Sequence, residues 1–168
     1  MDTRRELYKK FQEAFPLESL PEMTIEKYSN LNRSDSFCYW LESKTEELGS
    51  IWGGNSFKFG IYEYINKPTV VHVLTDEKYA WHKWYGIDNA KDAYNFILSA
   101  IVRVANLARE GNFEAIDNET TLGKVYKWKI AFLYSYNMLY ISSCTFGGGF
   151  VIITFMKKIF GDKYHWID

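Results

Sequence analysis

The sequence predicts an α+β fold, in which a small, mostly antiparallel sheet packs against several helices in a single domain. Helical and strand patterns are segregated along the chain, which favours this class. The 168 residues are the length of one domain and are enough to bury a substantial core. Hydrophobic residues make up 47% and charged residues 24%, the balance of an ordinary globular protein.

Two helices are predicted in the first third of the chain. The first begins with a capping box at Thr3, carries apolar residues at helical spacing and ends at Pro16. A short helix between two loops follows. The second long helix is expected to be capped by Ser34 or Asp35 and closed by Gly49.

The clearest helix lies in the middle of the chain. Asp88 or Asn89 caps it, and Gly111 follows its end. One apolar stripe runs along it, formed by Ala93, Phe96, Ile97, Ala100, Ile101, Val104 and Ala108.

Alternation predicts the strands. Residues 57–64 place aromatic and aliphatic side chains on one face and Lys58, Gly60, Tyr62 and Tyr64 on the other. Residues 69–76 form the next strand, residues 112–123 a loop, and residues 124–135 ("KVYKWKIAFLYS") a strong strand with its lysines on one face. Residues 137–143 are the hairpin partner predicted for that strand.

Charge and cysteine content limit the class of protein. The net charge of -1 excludes a broadly basic nucleic-acid binder, although a local basic patch remains possible. Cys38 and Cys144 fit no metal spacing and are expected to be free thiols in a reducing compartment. The charged N-terminus has no apolar signal core, and the run "FVIITFM" is too short to cross a bilayer. We therefore expect a soluble, cytoplasmic protein without membrane contact.

Signatures of catalysis are missing from the sequence. It contains no Walker A motif and no G-x-S-x-G elbow. His72, His82 and His165 are isolated and fit no metal-ligand spacing. We therefore predict a protein that is not an enzyme, with no catalytic residue, no cofactor and no metal.

Aromatic residues are the unusual part of the composition. They make up 18% of the chain, as six Trp, 13 Tyr and 12 Phe. That is more than a core of this size needs, so some rings are expected on a surface or in a pocket.

Three segments carry a family resemblance: "LNRSDSFCYWLESKTEELGSIWGGNSFKFGIYEY", "YAWHKWYG" with "AREGNFEAID", and "LGKVYKWKIAFLYS". In order and spacing they resemble the N-terminal region of bacterial McrB-type restriction ATPases, over about Leu31 to Ser135. The sequence departs from that pattern because no motor follows and residues 136–168 form a divergent tail.

The resemblance implies a DNA-recognition domain. Such regions recognise DNA, often at methylated sites, and precede an AAA+ GTPase motor that recruits a separate nuclease. In several McrB-like systems the modified base is flipped into an aromatic pocket, which needs rings to stack on and cations near the phosphates. The implied partners are DNA, an AAA+ motor domain or subunit, and a nuclease.

Ten residues are candidates for DNA contact. Gly53 and Gly54 are expected to open the backbone next to Trp52. The candidates are Trp52, Asn55, Ser56, Lys58, Tyr62, Tyr64, Trp81, Trp84, Lys127 and Lys129. A ring in a strand is more often a core residue, and a lysine on a sheet often guards a solvated face or an edge.

Two other functions remain open. The first is a protein-interaction or oligomerisation module that uses an exposed aromatic patch. The second is a small-molecule binder with an aromatic pocket. Weak dependence of binding on salt distinguishes the second from DNA recognition, because phosphate contacts make affinity fall steeply with salt.

Overall fold

The computed structural model describes residues 3–32, 35–53 and 56–135. In chain order, its α-helices are α1 (Thr3–Ala14), α2 (Ile25–Tyr28), α3 (Phe37–Tyr39), α4 (Ala90–Glu110), α5 (Phe113–Asp117) and α6 (Lys124–Tyr134). Its strands are β1 (Ile61–Glu63), β2 (Val73–Thr75) and β3 (Tyr79–His82). The α+β class with a small antiparallel sheet in one domain is confirmed.

The sheet has the order β1-β3-β2, and both pairings are antiparallel. Ile61 lies opposite Trp81, and Tyr62 lies opposite Ala80. Because side chains alternate along a strand, Ile61 and Trp81 share the inner face, where they are 0% and 2% exposed. That inner face packs against α4.

The longest helix follows its sequence signals closely. The Asn89 side chain accepts the N–H of Asp92 at 2.9 Å, which makes Asn89 the N-cap. Gly111 ends the helix in the left-handed conformation, with a φ of 75°. The predicted stripe is buried except at Phe96, which is 41% exposed. Phe96 therefore lies at the margin of the stripe, on the solvent side.

Residues 124–135 were predicted to be a strand, and this prediction is wrong. They form helix α6, and every residue from Tyr126 to Tyr134 is buried. The helix packs along α4 and also contacts α1 and α5. A helix that is covered on all sides needs apolar residues on all sides, so it loses the 3.6-residue periodicity that identifies surface helices. Its aromatic and β-branched residues then resemble a buried strand.

Other boundaries also differ from the predictions. The second long helix is broken into α3, a π-helical turn (Trp40–Lys44) and a 3-10 turn (Glu46–Leu48) that ends at Gly49. Ser36 caps it instead of the predicted neighbours, because the Ser36 hydroxyl accepts the N–H of Tyr39. The loop predicted at residues 112–123 contains α5.

The predicted strand at residues 57–64 begins instead with a 3-10 turn (Ser56–Phe59), and only Ile61–Glu63 is extended. The second predicted strand is shorter than expected, at Val73–Thr75. The hairpin predicted at residues 137–143 and the divergent tail lie outside the described residues.

Within the described ranges, no helix is both long enough and apolar enough to cross a membrane.

Candidate functional site

Two of the candidate lysines are buried in helix α6. Lys127 is 4% exposed and Lys129 is 0% exposed. Neighbours two apart on a helix point about 200° apart, so the two side chains leave α6 on opposite sides and reach different segments. The predicted shared strand face for these lysines was wrong, and their ammonium groups do not lie on the surface where phosphates would approach.

Each buried lysine holds a turn of the chain in place. Lys127 donates to the carbonyl oxygens of Asp117 and Glu119, at 2.8 and 2.7 Å. Lys129 donates to the carbonyl oxygens of Thr45 and Gly49, at 2.7 and 2.5 Å. Burial lowers the pKa of Lys127, although the nearby carboxylates of Asp117 and Glu119 oppose the shift.

Burial has a larger effect on Lys129. It lowers the pKa of Lys129 to about 7, and only the charge of Glu46 opposes the shift. No carboxylate forms an ion pair with Lys129 among the described residues. A neutral amine has two N–H donors, and the carbonyls of Thr45 and Gly49 provide two acceptors for them. The site therefore suits the uncharged form.

Lys58 also has a structural task. Its ammonium group donates to the carboxylate of Glu42 and to the carbonyl oxygens of Ile51 and Gly53, at 2.8 and 2.9 Å for the two carbonyls. An ammonium group has three N–H donors, so these contacts use all of them. Lys58 therefore fixes the segment that carries Trp52.

Trp52 projects from that segment and is 75% exposed. Its backbone N–H donates to the Ser50 hydroxyl at 3.1 Å, and Gly53 follows it with a φ of 112°. Gly54 and the candidate Asn55 lie outside the described residues. Ser56, half-buried, opens the 3-10 turn that leads to Lys58.

Trp81 belongs to the core. Its ring is 2% exposed on the inner face of the sheet, and its Nε1–H donates to the carbonyl oxygen of Ile87 at 2.8 Å. Its ring is therefore enclosed by the protein and not presented to a ligand. Strand alternation explains the difference from Tyr62, which lies on the opposite face and is half-buried.

The outer face of the sheet carries a group of rings in contact with one another. The Phe57 ring packs on His82, with centroids 4.2 Å apart, and on Tyr62, with centroids 6.5 Å apart. Tyr64 continues the same side of the chain and donates its hydroxyl to the carbonyl oxygen of Asp76.

A 3-10 turn (Lys83–Tyr85) after β3 extends this group toward solvent. Trp84 contacts Tyr85, with centroids 4.4 Å apart, and Tyr85 contacts Phe96 of α4, with centroids 5.4 Å apart. Trp84 is 61% exposed, and Lys83 beside it is also exposed. We call this group the aromatic surface; it consists of Phe57, Tyr62, His82, Trp84, Tyr85 and Phe96.

His82 lies at the centre of the aromatic surface. Its Nε2 is 2.8 Å from the carbonyl oxygen of Phe57, which can only accept, so Nε2 carries the proton of the neutral ring. Its Nδ1 is buried and has no hydrogen-bond partner among the described residues. Burial lowers the pKa of His82, while the bond to Phe57 opposes the shift. The neutral ring is the favoured form.

Gly60 allows the aromatic surface to pack against the sheet. It has a φ of 78°, and a Cβ at this position would overlap the Tyr85 hydroxyl and lie 2.9 Å from Cδ1 of Ile97. No local pattern in the sequence pointed to this role of Gly60 or to the contacts of Phe57, Tyr85 and Phe96. These contacts join residues that are distant along the chain, so periodicity within one segment cannot reveal them.

Outside the aromatic surface, the described residues form a polar cleft but no cluster of metal ligands. No group of three His, Cys, Asp or Glu side chains there is arranged to hold a metal ion. A cleft of about 340 Å³ lies between α1 and residues 43–47, and its lining mixes Glu, Lys, Ser and Thr side chains. Such mixed polar lining gives it no defined chemistry.

No family model matches the chain, and neither a curated protein nor a solved structure shows significant similarity to it.

Proposed function

We propose that the chain is a non-catalytic DNA-recognition domain of a McrB-like restriction system, which contacts DNA through exposed aromatic rings. One observation carries this proposal: Trp52 and Trp84 remain 75% and 61% exposed while other rings fill the core. Exposed flat side chains on a protein surface provide stacking platforms for bases, including a base turned out of the duplex.

The position of the rings also supports the proposal. Trp52 is presented by a segment that Lys58 fixes, and Phe57 of the same 3-10 turn is part of the aromatic surface. The 3-10 turn Ser56–Phe59 therefore contacts the segment of Trp52 through Lys58 and the aromatic surface, to which Trp84 belongs, through Phe57. The family resemblance covers about residues 31–135, which includes both of them.

The phosphate contacts differ from those expected from the sequence. Lys58, Lys127 and Lys129 donate to the protein's own oxygens, so they are not assigned to phosphates. Lys83 is exposed next to Trp84, so we assign the phosphate contact to Lys83. Each phosphate neutralised adds roughly one to the slope of log affinity against log salt, so binding that uses Lys83 should still weaken measurably as the salt concentration rises.

Binding to matched DNA duplexes tests the proposal. The duplexes are unmodified or carry 5-methylcytosine, 5-hydroxymethylcytosine or N6-methyladenine, each at two salt concentrations. We expect one modified duplex to be preferred. Trp52→Ala and Trp84→Ala should each weaken its binding about fivefold or more, since stacking contributes roughly 1–3 kcal/mol per base.

The control is Ile65→Ala, because Ile65 is 79% exposed but has no ring. This variant should bind as the parent does. The proposal fails if no duplex binds even at low salt, or if both tryptophan variants bind like the parent while remaining folded.

A protein-interaction module is the second candidate. The observation that favours it is the engagement of Lys58, Lys127 and Lys129 inside the fold, which leaves an aromatic surface with little positive charge. In that case the Trp84 and Phe96 rings would contact a protein partner, and none of the duplexes would bind.

A further inference from the structure

A second, smaller cleft lies beside the aromatic surface. Its walls come from the end of α2, from α3 with the π-helical turn that follows it, and from the 3-10 turn that leads into β1. Its volume is about 50 Å³, and a single water molecule needs roughly 10–15 Å³ of such space. The cleft therefore has room for a compact polar group of a few heavy atoms.

Two carboxylates line this cleft, those of Glu42 and Glu63. Their side chains are only 24% and 13% exposed. The described residues that line the cleft include no Lys, Arg or His. Ionised oxygens with little access to water form strong hydrogen bonds with donors, above all with charged ones. The lining therefore favours a ligand that carries N–H donors and positive charge.

Both carboxylates are held in place but are not saturated. Oε1 of Glu42 accepts from Lys58, and Oε2 of Glu63 accepts the N–H of Leu31 at 2.8 Å. Oε1 of Glu63 lies 3.5 Å from the ammonium nitrogen of Lys78, which is itself well exposed. An ionised carboxylate offers about four lone-pair positions, so each of the two can accept a further hydrogen bond from within the cleft.

Ser29 is the clearest sign that a partner is missing. It lines the cleft, and its residue is only 9% exposed. Its backbone N–H donates to the carbonyl oxygen of Ile25, but its hydroxyl makes no hydrogen bond to any described residue. Buried hydroxyl groups are nearly always hydrogen-bonded. The Ser29 hydroxyl is therefore left to a partner that enters the cleft.

Aromatic rings complete the lining. Tyr39 and Tyr62 are half-buried and line the cleft together with Phe59. The face of an aromatic ring attracts a cation within about 6 Å of its centroid. Two of these rings already have an ammonium group nearby: Lys58 lies 5.2 Å from the centroid of Phe59, and Lys44 lies 6.0 Å from that of Tyr39. Rings in this part of the fold are thus accessible to ammonium groups.

We propose that this cleft binds a primary ammonium group, carried by a lysine side chain of a partner protein or by a free amine. An ammonium group has three N–H donors and no acceptor. The carboxylates of Glu42 and Glu63 and the hydroxyl of Ser29 provide three acceptors in one small cleft. This binding goes beyond the proposed recognition of DNA and uses different side chains.

Nuclear magnetic resonance titration of the full chain tests the inference. The ligands are Nα-acetyl-lysine amide, Nα-acetyl-norleucine amide, which lacks the ammonium group, and n-butylamine, all at constant ionic strength. We expect the lysine derivative to shift the backbone resonances of Ser29, Glu42 and Tyr62, and the norleucine derivative to leave them unchanged. Equal binding of n-butylamine would identify free amines as ligands, and weaker binding would identify a lysine side chain of a protein.

Two variants and a control assign the contacts. Glu42→Gln should weaken binding about tenfold, because it removes a hydrogen bond to a charged group. Since Glu42 also holds Lys58, Ser29→Ala is the second variant. It removes a hydroxyl that makes no bond inside the fold and should weaken binding about threefold. Glu13→Gln removes the same charge from an exposed position on α1 and should bind as the parent does.

The inference is overturned by any of three results. In the first, the lysine derivative shifts none of these resonances, or the norleucine derivative shifts them equally. In the second, Ser29→Ala and Glu42→Gln both bind like the parent. In the third, Glu13→Gln weakens binding as much as Glu42→Gln does.

This outcome is separable from that for DNA. Trp52→Ala and Trp84→Ala should leave ammonium binding unchanged, because neither ring lines the cleft. Ammonium binding without any duplex binding supports the cleft alone, and duplex binding without ammonium binding supports DNA recognition alone.

Discussion

The buried amine of Lys129 should make the stability of the protein depend on pH in an unusual direction. Its side chain is fully enclosed and donates to the carbonyls of Thr45 and Gly49. Burial lowers its pKa from the ordinary 10.5 to about 7. Between these values the unfolded chain binds more protons than the folded chain, so the free energy of unfolding rises with pH. The buried amine therefore does not destabilise the fold above its unfolded pKa of 10.5, and it destabilises the fold most once pH falls below its folded pKa of about 7.

The size of the effect follows from these pKa values. Between about pH 7 and pH 8.5 the free energy of unfolding should rise by about 1.5 kcal/mol, since one pKa unit corresponds to about 1.4 kcal/mol. This window is chosen because the buried thiol of Cys38 has a raised pKa, caused mainly by burial, and opposes the trend at higher pH. The buried tyrosines, whose pKa values burial also raises, act above about pH 10 in the same way.

Urea unfolding at the two pH values measures the effect. Lys129→Met keeps most of the length of the side chain and removes the titrating amine, so the stability of this variant should change much less between the two pH values. Lys127→Met is the control on the same helix. Carboxylates near Lys127 offset part of its pKa shift, so this variant should keep most of the parent's pH dependence. The same pH dependence in the parent and in Lys129→Met would refute the assignment.

Three further effects should be measurable. The lowered pKa of His82, caused by burial, should make the parent lose stability as pH falls from about 7 to 5, and His82→Gln should lose less; equal losses would contradict this. Gly60→Ala should cost about 2 kcal/mol or more because its Cβ would overlap the Tyr85 hydroxyl. Gly86→Ala should cost only about 1 kcal/mol, since its φ is also positive but its Cβ would meet no atom; equal costs in urea unfolding would argue against the overlap. Lys58→Met should increase acrylamide quenching of tryptophan fluorescence by releasing the segment before it, while Lys58→Arg should stay close to the parent; identical quenching in all three proteins would contradict the proposed support.

Local signals identified the elements that lie on the surface of the core. Helix α4 was predicted with its cap at Asp88 or Asn89 and its end at Gly111, because capping and left-handed glycine are properties of a few neighbouring residues. Helix α1 was predicted for the same reason, since one of its faces is solvated and its apolar residues recur at helical spacing.

Contacts between distant segments decided the candidate site. Lys129 reaches carbonyls 80 and 84 positions earlier in the chain, so nothing near it in sequence distinguishes a buried amine from a surface cation. Trp81 and Tyr62 lie on opposite faces of the sheet. Which of the two rings is buried depends on the face that α4 covers, and the local sequence does not show this. Of the rings now grouped around His82, Phe96 was expected in the core because a margin position shares the periodicity of the stripe.

By itself, then, the sequence determined the α+β class, the amphipathic helices α1 and α4, the glycine that ends α4 and a surplus of aromatic rings, because each depends on composition or on residues within one or two helical turns. Only the tertiary structure decided that residues 124–134 are a helix. It also decided which aromatic rings are exposed to solvent and which lysines donate hydrogen bonds to the protein's own oxygens. The physical reason is burial: a segment enclosed on every side has no solvated face to impose a period, and a side chain's charge and partners are set by whatever the fold packs against it.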